Sequence, residues 1–241
     1  MQSGAVPWLS HPMANHLLRA NFLPSSLAHP QQIQAWAGVD GETLQDWPSC
    51  LAVSLGTASD RSALAMHRAV SRALIRHWRL EPISGLGEPA VPLCLLPPPA
   101  FEQMAVHIGL VFLAPALCRV IARPELAALD LALGASTLHF VRRHAAALRP
   151  PQAPLPTVAE HPPSAAAVPG VAGAMGAAVL AQCFADVPDP VGRRGLLRLP
   201  PDVDLDLLPP DLADGTAARA LAHAVLQLLE PEWLSHFPAL H

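Results

Sequence analysis

The chain has 241 residues, 51% hydrophobic and 14% charged, which supplies ample core material and excludes a generically disordered polymer. Its formal net charge of −4 leaves no global positive field for a polyanion, so nucleic acid is not expected as the main partner. All fifteen basic residues are Arg, and without Lys there is no P-loop lysine, no pyridoxal Schiff base and no kinase strand lysine.

Residues 1–30 carry four prolines and only short apolar pieces such as Leu17-Leu18 and Phe22-Leu23, which predicts a loose lead-in with one short helix, flexible over residues 1–15. From Pro30 the positions Ile33, Trp36 and Ala37 keep helical spacing until Gly38, Gly41 and Pro48 stop the run. Asp60 or Ser59 is placed to cap a clearer helix, in which Leu64, His67, Val70, Leu74, Ile75 and Trp78 share one side and which ends before Pro82. On its other side Arg61, Arg68, Arg72, Arg76 and Arg79, spaced 7, 4, 4 and 3, fall into one narrow strip at about 100° per residue. Five cations in line repel one another; such a strip is either a solvated face or a docking strip for acidic residues of another protein.

A Gly/Pro-rich stretch, Glu81 to Pro99, leads into a helix from Ala100 to Leu113 with Phe101, Met104, Ile108 and Phe112 on a core face. Pro115 suits the first turn of a second helix through Ala122. Met104–Ala122 is therefore expected as a buried helical hairpin and not as a membrane span. Its longest stretch without polar residues, Ile108 to Cys118, has eleven residues, against about 20 for a span, and Arg119 would stand in hydrocarbon at a cost of about 3 kcal/mol. Pro124, with Glu125 beside it, opens a further helix to Leu148 through Leu126, Leu129, Leu133, Thr137, Phe140 and Val141.

Residues 149–169 contain seven prolines and read as a linker or long surface loop. Gly170 to Ala185, rich in Ala and Gly, reads as a tightly packed helix in which Gly173 and Gly176 let another backbone come close. Leu196–Leu199 and Val203–Leu208 alternate weakly and fit a small hairpin around Pro200-Pro201. A final helix, Thr216 to Glu230, buries Leu221, Val225, Leu228 and Leu229 and stops at Pro231. The expected fold is mainly α: an irregular multi-helix single domain over residues 16–241 with that β-hairpin and Pro-rich loops.

Cys50, Cys94, Cys118 and Cys183 are far apart, with no C-x-x-C pair and no His at metal spacing beside them, which predicts buried free thiols and no zinc. The first basic residue is Arg19, and Pro7 and Pro12 break the apolar stretches before it, so no signal peptide is read and a cytoplasmic location is expected. The sequence lacks H-E-x-x-H, G-x-S-x-G, G-x-x-x-x-G-K-[ST] and G-x-G-x-x-G. His139 and His144, five apart, would stand about 140° from each other on an α-helix, too far to share an ion. Asp202, Asp204 and Asp206 alternate like a calcium loop but lack its Gly and its closing Glu. No catalytic residue, metal or cofactor is expected, which leaves an interaction protein.

Glu81-Pro82 followed by Gly85-Leu86-Gly87, Pro92-Leu93, Gly109 to Leu113 running into Ala116 to Ile121, the Pro-Glu-Leu start at Pro124, the Thr137–Leu148 helix end, Leu197-Arg198-Leu199-Pro200 and a last helix with His223 at its middle stand in a characteristic order. By that order, over residues 15–237, the chain resembles the SctK/YscK family, cytosolic adaptors of the bacterial type III secretion injectisome. It departs from the family in the Pro-rich insert at 149–169 and in Pro115. The resemblance implies a helical, non-enzymatic member of the sorting platform, peripheral to the inner-membrane base and serving protein secretion in virulence. It would link the cytosolic domain of the inner-membrane ring protein (SctD-like) to the pod protein (SctQ-like) that carries the ATPase spokes and receives cargo, without inserting into the membrane. The family pattern transfers no binding residue. The expected docking residues come from charge: Arg61, Arg68, Arg72, Arg76 and Arg79, with Arg142 and Arg143 as a second patch and Trp78 or Trp36 as an apolar anchor. Two other classes compete: a secretion chaperone or regulatory binding protein, and a hydrolase or transferase using Cys118 with a distant His.

Overall fold

The structure, a computed structural model, describes residues 11–37, 61–150 and 163–237. The expected caps at Ser59 and Asp60, the turn beyond Gly38, Cys50 and the middle of the Pro-rich insert lie outside the described residues. In chain order the helices are α1 (Ala14–Phe22), α2 (Pro30–Ala37), α3 (Arg61–His77), α4 (Val91–Leu95), α5 (Pro98–Leu117), α6 (Arg123–Leu133), α7 (Ala135–Phe140), α8 (Val168–Ala185), α9 (Asp189–Leu196), α10 (Gly215–Leu229) and α11 (Pro231–Leu234). The protein is mainly α, and no strand occurs among the described residues.

The chain divides into two compact units drawn from separate stretches: Met1–Pro97 with Val187–Pro201 and Glu232–His241, and Pro98–Asp186 with Asp202–Pro231. The first unit is built on α3. Its inward residues Leu74, Val70 and Ile75 pack with Ala28, Ile33, Leu80 and Leu197, and Trp36 and Trp78 close the cluster. Asn21 fixes the lead-in to the loop after α3 in both directions: its Nδ2 donates to Ile83 O at 3.0 Å and its Oδ1 accepts from Ile83 N at 2.8 Å.

Three arginines of the 193–198 run hold the ends of three other helices. Arg193 Nη1 donates to Trp78 O (2.7 Å) just past α3; Arg194 Nε donates to Ala20 O (2.9 Å) in the last turn of α1; Arg198 Nη1 donates to Leu93 O (3.1 Å) and Cys94 O (2.6 Å) at the end of α4. Carbonyls at a helix C-terminus lack intrahelical donors and carry the negative end of the dipole, so a guanidinium satisfies both demands. Arg194 and Arg198 are each only 4% exposed. Leu196–Leu199 therefore closes α9 instead of pairing as a strand. Val203–Leu208 is likewise no strand: Pro200, Pro201, Pro209 and Pro210 offer no amide donors, and Asp204 Oδ1 accepts from Asp206 N at 3.0 Å, starting a 3₁₀ turn at Leu205–Leu207.

The second unit is organised by α5 and α8, which cross antiparallel with their backbones in contact. A Cβ added to Gly109 would land on the carbonyl of Ala172, and one added to Gly176 on the carbonyl of Ala105. Ala105 and Gly109 on one helix, Ala172 and Gly176 on the other, thus face each other as two small-residue pairs one turn apart. Gly176 serves as the sequence suggested, whereas Gly173 meets only the tip of Val106, at 3.9 Å. Both helices are long and apolar enough to cross a membrane, and most of each is buried within the protein.

The expected second helix after Pro115 is absent. Pro115 lies inside the last turn of α5, which runs to Leu117 and closes with the tighter bonds Arg119 N to Ala116 O (3.1 Å) and Val120 N to Leu117 O (3.2 Å). The run from Pro124 is also broken: Gly134 takes φ +80° and ends α6, and the chain restarts as α7. A π-helical turn, Val141–Ala145, then carries the run on to Leu148. α10 begins at an Asp214 cap whose Oδ1 accepts from Thr216 N (3.0 Å) and buries Leu221 and Val225, but Leu228 is 43% exposed and Leu229 half-buried.

Candidate functional site

The arginine row is carried by a helix whose inner face is fixed by polar bonds as well as packing. His67 and Ser71 are fully buried; Ser25 Oγ, from the turn after α1, lies 2.9 Å from His67 Nδ1 and 2.8 Å from Ser71 Oγ, and Ser25 N donates to Ser71 Oγ at 3.2 Å. Burial pushes the His67 imidazole down to about 4, so it is neutral at physiological pH. With this side locked inward, Arg68, Arg72 and Arg76 project outward at four-residue spacing, all exposed. Arg76 Nε donates back to Arg72 O at 3.3 Å. Among the described residues none of the three has a carboxylate at ion-pair distance, whereas Arg193 pairs with Asp189 at 2.6 Å within α9.

The strip is shorter than the sequence suggested. Leu80 N donates to Ile75 O at 3.0 Å, which closes α3 by wrapping the chain back on itself, and Arg79 sits at that wrap with φ +48°. Arg79 is exposed but beyond the helix, so it leaves the row. Arg61 stands in the first turn of α3, and its side chain lies outside the described residues. Trp78 and Trp36 are half-buried in the first unit's core rather than standing clear as anchors. The large apolar side chain exposed on α3 is Met66, at 40%, a position the sequence reading passed over because it falls outside the apolar side of the helix.

In the second unit Arg142 and Arg143 are exposed on the π-helical turn. That turn also overturns the expectation that His139 and His144 stand apart: with more residues per turn than an α-helix it aligns positions five apart, and the two rings lie 6.2 Å centre to centre. His107 packs edge-on to Phe140 at 4.7 Å; burial lowers its pKa, against the raising effect of the Gln103 carbonyl at 2.8 Å. No group of three metal-ligating side chains gathers among the described residues.

The thiols divide. Cys94 and Cys183 are buried, and desolvation pushes them up to about 11 and about 12. Cys118, expected to be buried, is exposed just after α5. Near it a groove of about 440 Å³ is lined by Leu117, Val120, Pro124, Ala128, Leu129 and Ser164.

The residues the sequence reading missed are Arg193, Arg194 and Arg198. Arg194 and Arg198 stand four apart, a one-face helical spacing, but the weak strand-like alternation of Leu196–Leu199 runs across it and hides the pair. No family model, curated protein or solved structure matches the chain.

Proposed function

We propose that the chain is a non-enzymatic adaptor of the type III secretion sorting platform, bridging the cytosolic domain of the inner-membrane ring protein to the pod protein. The observation that carries the reading on the structural side is the α3 row: Arg68, Arg72 and Arg76, exposed, four residues apart and without carboxylate partners among the described residues, on a helix whose opposite face is locked into the core. Like charges held in line at this spacing repel, and an acidic partner surface relieves the repulsion. The ordered motifs that resemble the SctK/YscK family supply the identity of the partners, and the mainly α fold is compatible with that family.

The experiment is co-purification from cells expressing this chain with the pod protein and the ring protein's cytosolic domain, at low and high salt. Retention of both partners supports the bridge, and loss of one at high salt assigns it to the arginine row. Retention of neither, with the chain folded, overturns it.

A further inference from the structure

The α3 face has a complementary surface on the same polypeptide. Beside the arginine row runs a row of alanines, Ala65, Ala69 and Ala73, each three residues before an arginine, and Met66 stands exposed at its edge. Between residues 202 and 214 the chain carries Asp202, Asp204, Asp206, Asp211 and Asp214, all exposed, with no basic residue among them. None of the five is in an ion pair among the described residues. Near the start of this segment Leu205 is 56% exposed between Asp204 and Asp206, held outward by the Asp204 cap and by Leu208 N bonding Leu205 O at 3.0 Å. An exposed leucine between two carboxylates matches a small-residue row edged by arginines: apolar contact on the alanines, opposite charges along their edge.

We propose that the α3 face binds the Asp202–Asp214 segment of a second copy of this chain. The contact is head-to-tail, since each copy presents both surfaces, and it occupies the row through which the proposed adaptor docks its acidic partner. Self-association then holds the docking row covered until a partner competes for it. This contact needs only the two surfaces of this chain, whether or not the secretion partners are the right ones.

The test is sedimentation velocity of the full chain over a range of concentrations at low and high salt. The expected result is reversible association at low salt that weakens at high salt. Arg72→Glu alone and Asp206→Arg alone each weaken it about tenfold, and an equimolar mixture of the two variants associates more tightly than either variant by itself, because the reversed charges again oppose. Circular dichroism of each variant checks that the helices are intact. A monomer mass independent of concentration at low salt overturns the proposal, and so does a mixture no tighter than its components. Failure of the co-purification with secretion partners leaves these outcomes unchanged, so the two readings fail separately.

Discussion

Ser25 Oγ and His67 Nδ1 lie 2.9 Å apart with both residues fully buried, joining the turn after α1 to the middle of α3. This pair makes the platform of the arginine row sensitive to acid. His67 ordinarily titrates at 6.5 and in the fold at about 4, so the folded state favours the neutral ring. Stability is complete above pH 6.5 and falls as pH drops from there toward about 4, because the unfolded chain takes up the proton first. The loss is of the order of 3 kcal/mol. Melting temperature against pH should show this slope, and His67→Gln should flatten it; an unchanged slope in the variant would assign the acid sensitivity elsewhere, for instance to His16 or His107, whose pKa burial also lowers.

Gly109 and Gly176 each leave room for a carbonyl of the opposite helix and for nothing else. Gly109→Ala or Gly176→Ala should therefore cost about 3 kcal/mol despite the better helix propensity of Ala. Gly173→Ala would make only an ordinary contact with the tip of Val106, at 3.9 Å, and should be neutral or slightly stabilising. Chemical denaturation of the three variants checks the contrast; equal effects would contradict the close crossing of α5 and α8.

Some of this was legible in the sequence and some was not, for identifiable reasons. α3 is strongly amphipathic, α10 is capped by Asp214, and Pro124 with Glu125 marks the start of α6, so local signals place them. Gly176 could be suspected from its Ala/Gly-rich helix, but its counterpart Gly109 sits in a uniformly apolar run where no periodicity distinguishes it. The π-helical turn that joins His139 and His144 inverts an angle computed for an α-helix, and nothing local announces it. The row itself was visible as spacing; that Arg79 leaves it depends on how α3 closes against Leu80 and the core.

Arg79 holds a left-handed backbone conformation that costs a side-chain-bearing residue about 1 kcal/mol. Arg79→Gly should raise stability by up to about that amount, measured by urea denaturation, and should leave Arg68, Arg72 and Arg76 exposed in their row. A destabilised variant would contradict the wrapped closure of α3.

Brief alkylation of the native protein followed by peptide mapping should modify Cys118 and spare Cys94 and Cys183, whose burial withholds the thiolate. The two protected thiols should react on unfolding. Modification of Cys94 as fast as Cys118 would contradict the packing of α4 beneath Arg198.

The proposed docking of the α3 row on a sorting-platform partner is read from binding affinity. The measurement is the Kd of the purified chain for the pod protein and for the ring protein's cytosolic domain, before and after reversing Arg68, Arg72 and Arg76 to Glu. The account predicts that the unaltered chain binds both, and that reversal weakens one of them by at least about tenfold while abolishing most of its salt dependence. Affinities for both partners that stay within about twofold after reversal would make the row a solvated face and contradict the account.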